Sequence, residues 1–330
     1  MNKFEYAMPE KLSDVFHYLE EPESVIKAGG VDLLDLMKEG VAQPKRLVNI
    51  RYLSELDFIK TDPKRGLIIG PNVTLAKLAA SEHLTGAYRA LAQAADGAAT
   101  PQIRNAATLG GNLCQRPRCW YFRSADFHCT RKGGNTCFAL DGENQYHAIF
   151  GNSDGCVIVH PSATAVALMA LDARLKIAAP KEEREISIMD FCVAPAQDIT
   201  REHSLKNNEV ITEIILPAQP KEFTSFYFKQ KEKQAYDWPI ADVAVGLKMK
   251  GNKCSEARIV LGSAAPIPWR VRQAEALLQN ETITVKLAKA AAHEAVRDAN
   301  PLKRNSYKVS VFKAVVYRTI CWAAGIDPFA

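Results

Sequence analysis

The sequence predicts an α+β protein of two domains, and three observations carry that prediction. Helical and strand-like apolar patterns alternate through the first third of the chain. Beyond residue 222 strands come first and helices follow, the order of an α+β unit. Between the two regions lies Ala218–Glu222, a short polar stretch that carries a proline and reads as a linker. At 330 residues the chain has room for two or three domains, each with its own core.

The opening helix is written in Leu12, Val15, Phe16 and Leu19, which recur at helical spacing after Pro9. Ser24–Ala28 is a short β-like run broken by Gly29 and Gly30, after which Leu33, Leu34, Leu36 and Met37 begin a new apolar pattern. Arg46–Ile50 and Gly66–Gly70 read as strands; Thr74–Leu84 and Tyr88–Ala95 read as helices, the second Ala-rich and buried. Residues 100–156 break this rhythm with repeated glycines and few periodic apolar positions, the mark of a functional or disordered segment. Trp120, Tyr121, Phe122, Phe127, Phe138 and Tyr146 argue against disorder. Regular structure resumes with a strand at Cys156–His160 and a helix capped by Ser162 and running to about Leu171. Strands follow at Arg174–Ala178 and Glu209–Leu216. After the linker, strands at Thr224–Lys231, Val243–Met249 and Ala257–Ser263 precede helices at Arg270–Leu278, Val285–Val296 and Val309–Trp322.

Composition excludes several classes. A net charge of +5 is too mild for the basic stripe that nucleic-acid binding needs. No apolar run is long enough to span a bilayer as a helix. The first residues, Met1 to Tyr6, are charged at once and lack the apolar core of a secretory signal.

Eight cysteines do not make a disulfide scaffold in a chain of this size, yet five of them, Cys114, Cys119, Cys129, Cys137 and Cys156, crowd the irregular segment. The last four are separated by 9, 7 and 18 residues, without the tight C-x₂₋₄-C pairs of a zinc finger. Four thiolates drawn from an irregular loop suit an iron–sulfur cluster. The interspersed Arg116, Arg118, Arg123, Arg131 and Lys132 would favour thiolates and a net-negative cluster. Spacing alone leaves open zinc, with His128 or His147 joining, and unligated thiols. Cys192, Cys254 and Cys321 read as small buried apolar residues.

Two glycine turns complete the motif set. Around Gly29-Gly30 an apolar strand turns into a helix, so successive N–H groups and the helix start can nest phosphate oxygens. The same arrangement also serves as a plain strand-to-helix corner. The second turn, Thr108-Leu109-Gly110-Gly111-Asn112, abuts the cysteine loop, where its hydroxyl, small residues and amide could hold a flat polar ring. It reads equally as a bulged turn.

These motifs resemble a known family. Ala28–Lys38 and Ala107–Cys114 are similar to the first and second FAD loops of the FAD-binding (medium) subunits of molybdenum hydroxylases, which include xanthine dehydrogenase and carbon monoxide dehydrogenase. Asp237–Val245 and Leu261–Arg270 resemble signatures of that family's C-terminal domain. Cys119, Cys129, Cys137 and Cys156 resemble an insertion carrying a [4Fe–4S] cluster, known in periplasmic aldehyde oxidoreductase and in 4-hydroxybenzoyl-CoA reductase. Gln145–Gly151 and Cys156–Ser162 look closer to the aldehyde oxidoreductase version. Cys114 matches only the reductase pattern and stays outside the ligand set.

The resemblance implies a two-lobed FAD-binding domain of the vanillyl-alcohol-oxidase (PCMH) type over residues 1–217, with lobes at 1–57 and 58–217 and a cluster insert at about 114–156. A smaller α+β domain follows over 222–330, a three-stranded sheet plus helices as in the carbon monoxide dehydrogenase flavoprotein. It implies FAD contacts from Val25, Ile26, Lys27, Ala28, Gly29, Gly30, Val31, Asp32 and Leu33, from Thr108, Gly110, Gly111 and Asn112, and from Ser162 and Lys229. Three departures from the family's pattern stand out: Val31 replaces a threonine, Ala163 an aspartate, and Lys229, Lys231 and Lys233 stand in a strand that is usually arginine-rich. Lysine keeps the charge but not the fork. The implied function is that of an electron-transfer oxidoreductase subunit with no catalytic side chain of its own, since the chemistry belongs to the cofactor. Its expected partners are a large molybdopterin-binding subunit and a small subunit with two [2Fe–2S] clusters. The expected compartment is the cytoplasm, or the periplasm if a partner's twin-Arg signal exports the complex. A stand-alone FAD oxidase, a reductase-type FAD subunit and a zinc-stabilised scaffold are the alternatives.

Overall fold

The computed structural model describes residues 1–233, 236–251 and 253–329. Its first unit runs β1 (Glu5–Ala7), α1 (Leu12–Leu19), β2 (Ser24–Lys27), α2 (Val31–Lys38) and β3 (Arg46–Asn49). The strands pair in parallel in the order β1-β3-β2, a geometry that needs helical crossovers, which α1 and α2 supply. Val15 and Leu19 of α1 pack with Val48, Ile50, Leu53 and Leu56 in a small core. The helix and strands expected here all form, whereas β1 is too short and polar to show in the sequence.

The second unit continues with β4 (Ile59–Asp62), β5 (Gly66–Ile69), α3 (Leu75–Ala79), α4 (Arg89–Asp96), α5 (Pro101–Ala106), α6 (Leu109–Leu113) and α7 (Trp120–Arg123). It closes with α8 (Ala163–Ala170), β6 (Arg174–Ala178), β7 (Glu183–Ser187), α9 (Ile188–Phe191) and β8 (Val210–Leu216). The five strands form an antiparallel sheet in the order β4-β5-β8-β6-β7. Helix α8 is apolar all round and buried along nearly its whole length, the pattern of a central core helix. It packs on α4 and against the strands of the third unit. Ser162 caps it, as expected, by accepting from Ala165 N at 3.1 Å.

Two expectations fail in this region. Cys156–His160 is buried but joins no sheet: it makes single bonds from Ala148 N to Val157 O and from His160 N to Ala265 O. The helix expected over Thr74–Leu84 stops at Ala79. Three short helices, α5 to α7, punctuate the segment read as irregular.

The third unit has β9 (Phe223–Lys231), β10 (Pro239–Lys250), β11 (Lys253–Gly262), β12 (Trp269–Arg270), α10 (Arg272–Leu278), α11 (Val285–Glu294) and α12 (Tyr307–Ala323). Three long antiparallel strands form the expected sheet, and β12 adds a two-residue fourth at its edge, in the order β12-β11-β10-β9. The helices bury Ala288, Ala292, Phe312, Val316 and Ile320 against Val243, Val245, Ile259 and Leu261. Among the described residues, no helix is long and apolar enough to cross a membrane.

Candidate cofactor site

All three units contribute to one cavity of about 630 Å³, well within the range of small-molecule sites. Its first wall is the turn after β2. Gly30 stands at φ +76° as the N-cap of α2, a conformation that favours glycine. A Cβ on Gly29 would collide with the carbonyl oxygen of Ala106, so this glycine lets the two loops pack backbone to backbone. A second stretch of wall is the α6 turn. Thr108 caps it, accepting from Gly111 N at 3.1 Å, and Gly110 N donates to Pro71 O at 2.9 Å. A Cβ on Gly111 would crowd the Thr108 hydroxyl that caps the turn, so a side chain here would disturb the cap. Asn112 Oδ1 accepts from Ser162 Oγ at 2.7 Å and Thr164 Oγ1 at 2.6 Å, which leaves its amide nitrogen as the group free to donate.

Val25 to Leu33, Thr108, Gly110, Gly111, Asn112 and Lys229 all line this cavity. Ser162 does not. It sits behind Asn112, capping α8 and donating to the Asn112 amide oxygen. Lys229 Nζ donates to Gly97 O at 2.9 Å, and burial pushes its ammonium down to about 8. Val31 and Ala163, two of the departures, both border the cavity with apolar side chains. A carboxylate from within the Asp237–Val245 stretch also lines the cavity. Asp242 is buried and accepts from Tyr227 Oη at 3.0 Å and Ser263 Oγ at 2.8 Å.

The four singled-out cysteines gather at a second place. Cys119, Cys129, Cys137 and Cys156 border one small pocket together with Tyr121, Phe122, Arg131, Phe138, His147 and Ile158. Cys119 begins α7, and the turn from Cys129 to Gly134 brings Cys129 O within 3.0 Å of Gly134 N. Burial pushes the Cys119 thiol up to about 12 and raises that of Cys156, against which the Arg131 guanidinium acts. Cys114 lies elsewhere: it borders the large cavity, beside Cys192. Cys192, Cys254 and Cys321 are buried, as expected of apolar positions.

The basic residues serve differently from their expected role. Only Arg131 borders the cysteines. Arg118 pairs with Asp32, Arg123 donates to Asp32 at 2.6 Å and Asp35 at 2.9 Å, and Arg116 N donates to Asp32 at 2.8 Å. Asp32 of the first glycine turn is therefore spent on the residues flanking Cys119. Arg118 also stacks over Trp238 at the cavity wall, 4.7 Å from its centroid.

Among the described residues, no three His, Cys, Asp or Glu side chains stand close enough to hold a single metal ion. A cubane cluster keeps its thiolates farther apart than one ion does, so the chemistry of the pocket decides the fit. Arg131 is almost wholly buried, yet its Nε and one Nη make no hydrogen bond. Buried donors without acceptors beside four thiols suit an anionic group bound by sulfur. The glycine-lined cavity, with N–H groups at a helix start, suits a phosphate-bearing cofactor.

Comparison with known proteins agrees with this geometry. Residues 2–219 match the FAD binding domain in molybdopterin dehydrogenase, and residues 226–323 match the CO dehydrogenase flavoprotein C-terminal domain. The chain is 34% identical over 294 residues to the aldehyde oxidoreductase FAD-binding subunit PaoB of Escherichia coli, covering 88% of this chain and 89% of that one. It is 27% identical over 307 residues to a xanthine dehydrogenase FAD-binding subunit of Escherichia coli, covering 92% and 88%. The solved carbon monoxide dehydrogenase of Hydrogenophaga pseudoflava superposes with a TM-score of 0.76 at 26% identity, covering 98% of each chain. The chain belongs to the FAD-binding medium subunits of the molybdenum hydroxylase family, and is an oxidoreductase subunit.

Proposed function

We propose that this chain is the FAD- and [4Fe–4S]-carrying electron-transfer subunit of a heterotrimeric molybdenum hydroxylase of the aldehyde oxidoreductase kind. Its partners are a large molybdopterin-binding subunit and a small subunit with two [2Fe–2S] clusters. The observation that carries this reading is Asp32, which ties the first glycine turn to the arginines flanking Cys119 and so joins two cofactor sites through one carboxylate. The bound flavin would supply the exchange between two-electron and one-electron traffic. The chain's own residues do the positioning. The two glycine turns and Asn112 would hold FAD, Lys229 would place a cation in its wall, and Cys119, Cys129, Cys137 and Cys156 would ligate the cluster. In domain terms, residues 1–217 form the FAD unit, with lobes at 1–57 and 58–217 and the insert at about 114–156; residues 222–330 form the C-terminal unit.

Cofactor analysis of the complex purified with its partner chains tests this. Replacing any of the four cysteines with Ser should lower iron and acid-labile sulfide, while Cys114→Ser leaves both unchanged. Gly111→Val, whose side chain presses on the Thr108 cap at the cavity wall, should lose flavin absorbance while the circular dichroism of the whole fold is kept. Zinc without sulfide in anaerobically prepared protein would refute the cluster, and substrate turnover by the isolated monomer would favour a stand-alone oxidase.

A further inference from the structure

Beside the cysteine pocket stands an imidazole whose placement looks purposeful in detail. His147 is buried, and its Nε2 lies 3.3 Å from Cys119 Sγ. Its Nδ1 has no partner. The two ring nitrogens can share one proton in two ways. With the proton on Nδ1, a buried N–H would go unsatisfied and the Nε2 lone pair would face a sulfur. With the proton on Nε2, the ring donates to that sulfur, and only the weaker loss of an unused acceptor remains. The geometry selects the second arrangement.

The residue is held from every side except the one it offers to sulfur. His147 N donates to Asn144 O at 3.1 Å. His147 O accepts from Lys308 Nζ at 2.9 Å and from Asn305 Nδ2 at 3.0 Å, both at the start of α12. The ring packs edge-on against Trp120, with centroids 5.6 Å apart, and Trp120 follows Cys119 directly. The backbone thus fixes where the ring stands, while the side chain's close polar contact is the one to Cys119.

We propose that His147 is a positioning residue for the cluster, donating one hydrogen bond from Nε2 to the Cys119 thiolate and thereby raising the cluster's reduction potential. The inference rests on the cluster assignment made above. A hydrogen bond to a ligand sulfur draws off negative charge and favours the reduced, more negative state, which is how such bonds tune cluster potentials. Because the side chain has no other polar partner, removing it tests this bond with little collateral loss.

The test is a redox titration of the purified complex, with the cluster followed by electron paramagnetic resonance and the flavin by absorbance. In His147→Leu the cluster should keep its iron and sulfide, and its midpoint should move negative. The shift expected is about tenfold in the reduced-to-oxidised ratio at fixed poise, the scale of one hydrogen bond to a charged acceptor. His147→Asn, which restores a donor, should recover part of it, and the flavin midpoint should stay put in both. An unchanged cluster midpoint with full iron content would overturn the inference. Loss of iron from His147→Leu alone would also overturn it, showing a ligand in place of a donor. Absence of acid-labile sulfide from the unaltered complex would defeat the cluster assignment itself, a result distinct from either.

Discussion

At the scale of single residues, two glycines with the same backbone angle do different jobs. Gly30 and Gly40 bracket α2 at φ +76° and +71°. An alanine at either should cost about 1–2 kcal/mol, the penalty of the left-handed region for an L-residue. Urea denaturation should show the larger loss for Gly30→Ala, whose Cβ also crowds Lys27 and Leu34, and the smaller for Gly40→Ala, whose Cβ meets nothing. Flavin content should separate them, because Gly30 lines the cavity and Gly40 does not. Equal flavin in the two variants would confine Gly30 to its backbone angle. The turns at Gly29-Gly30 and Gly110-Gly111 were legible in the sequence because paired glycines between apolar runs are rare and have a mechanical reason. The sequence was silent where a role depends on what faces a side chain. Ser162, expected both as a cap and as a cofactor contact, caps α8 just outside the cavity lining, and His147 entered only as a possible zinc ligand. Nothing in the spacing distinguishes Arg131, turned to the cysteines, from Arg118 and Arg123, turned to Asp32.

At the scale of elements, periodicity read long pieces well and failed on short or unpaired ones. Strands β9 to β11 and helices α10 to α12 lie where their patterns placed them, since each buries a continuous stripe. Cys156–His160 misled because an apolar run signals burial, and burial here comes without a partner strand. Strand β7 was missed because its outward residues are charged, yet it anchors the sheet edge. Arg184 on β7 forks onto Glu209, just before β8, at 2.9 and 2.8 Å, and Lys206 N adds a third bond at 2.8 Å. Burial alone would raise the Glu209 carboxyl; the fork and the amide outweigh it and hold the group below its usual range. A carboxyl lowered by folding stabilises the protein above its unfolded value, about pH 4.3, and loses that contribution as pH falls through the folded value. Glu209→Gln should therefore cost about 1–3 kcal/mol at pH 7. The gap to the parent protein should close below about pH 4. A gap that persists unchanged into acid would mean the fork acts through packing and not through charge.

At the scale of the whole molecule, the cysteine insert is not an appendage to the FAD unit, because it is gripped from two sides. On one side Phe122 and Cys129 pack with Leu36 of α2. On the other, the start of α12 reaches in: Lys308 Nζ donates to Tyr146 O at 3.2 Å, His147 O at 2.9 Å and Ser263 O at 2.6 Å. Asn305 Nδ2 adds bonds to His147 O and Ala148 O, and Arg304 N donates to Asn144 Oδ1 at 3.1 Å. A fully buried lysine that satisfies three carbonyls from two separate stretches of chain is a clamp, and its worth lies in the acceptors it would leave behind. Lys308→Met matches the length of the stem and removes the charge, so the cost of burying an ammonium goes with it. Tyr146 O and Ser263 O, however, lose this donor inside the protein. The net loss should be about 1–3 kcal/mol, the cost of stranding buried acceptors. Hydrogen exchange should show where it falls. Amides in residues 144–150 and in the first turns of α12 should lose protection together, while the sheet of β4 to β8 keeps its own. Loss confined to α12 would show that the insert stands without the clamp, and a variant as stable as the parent would show that water or a shifted backbone replaces the lysine.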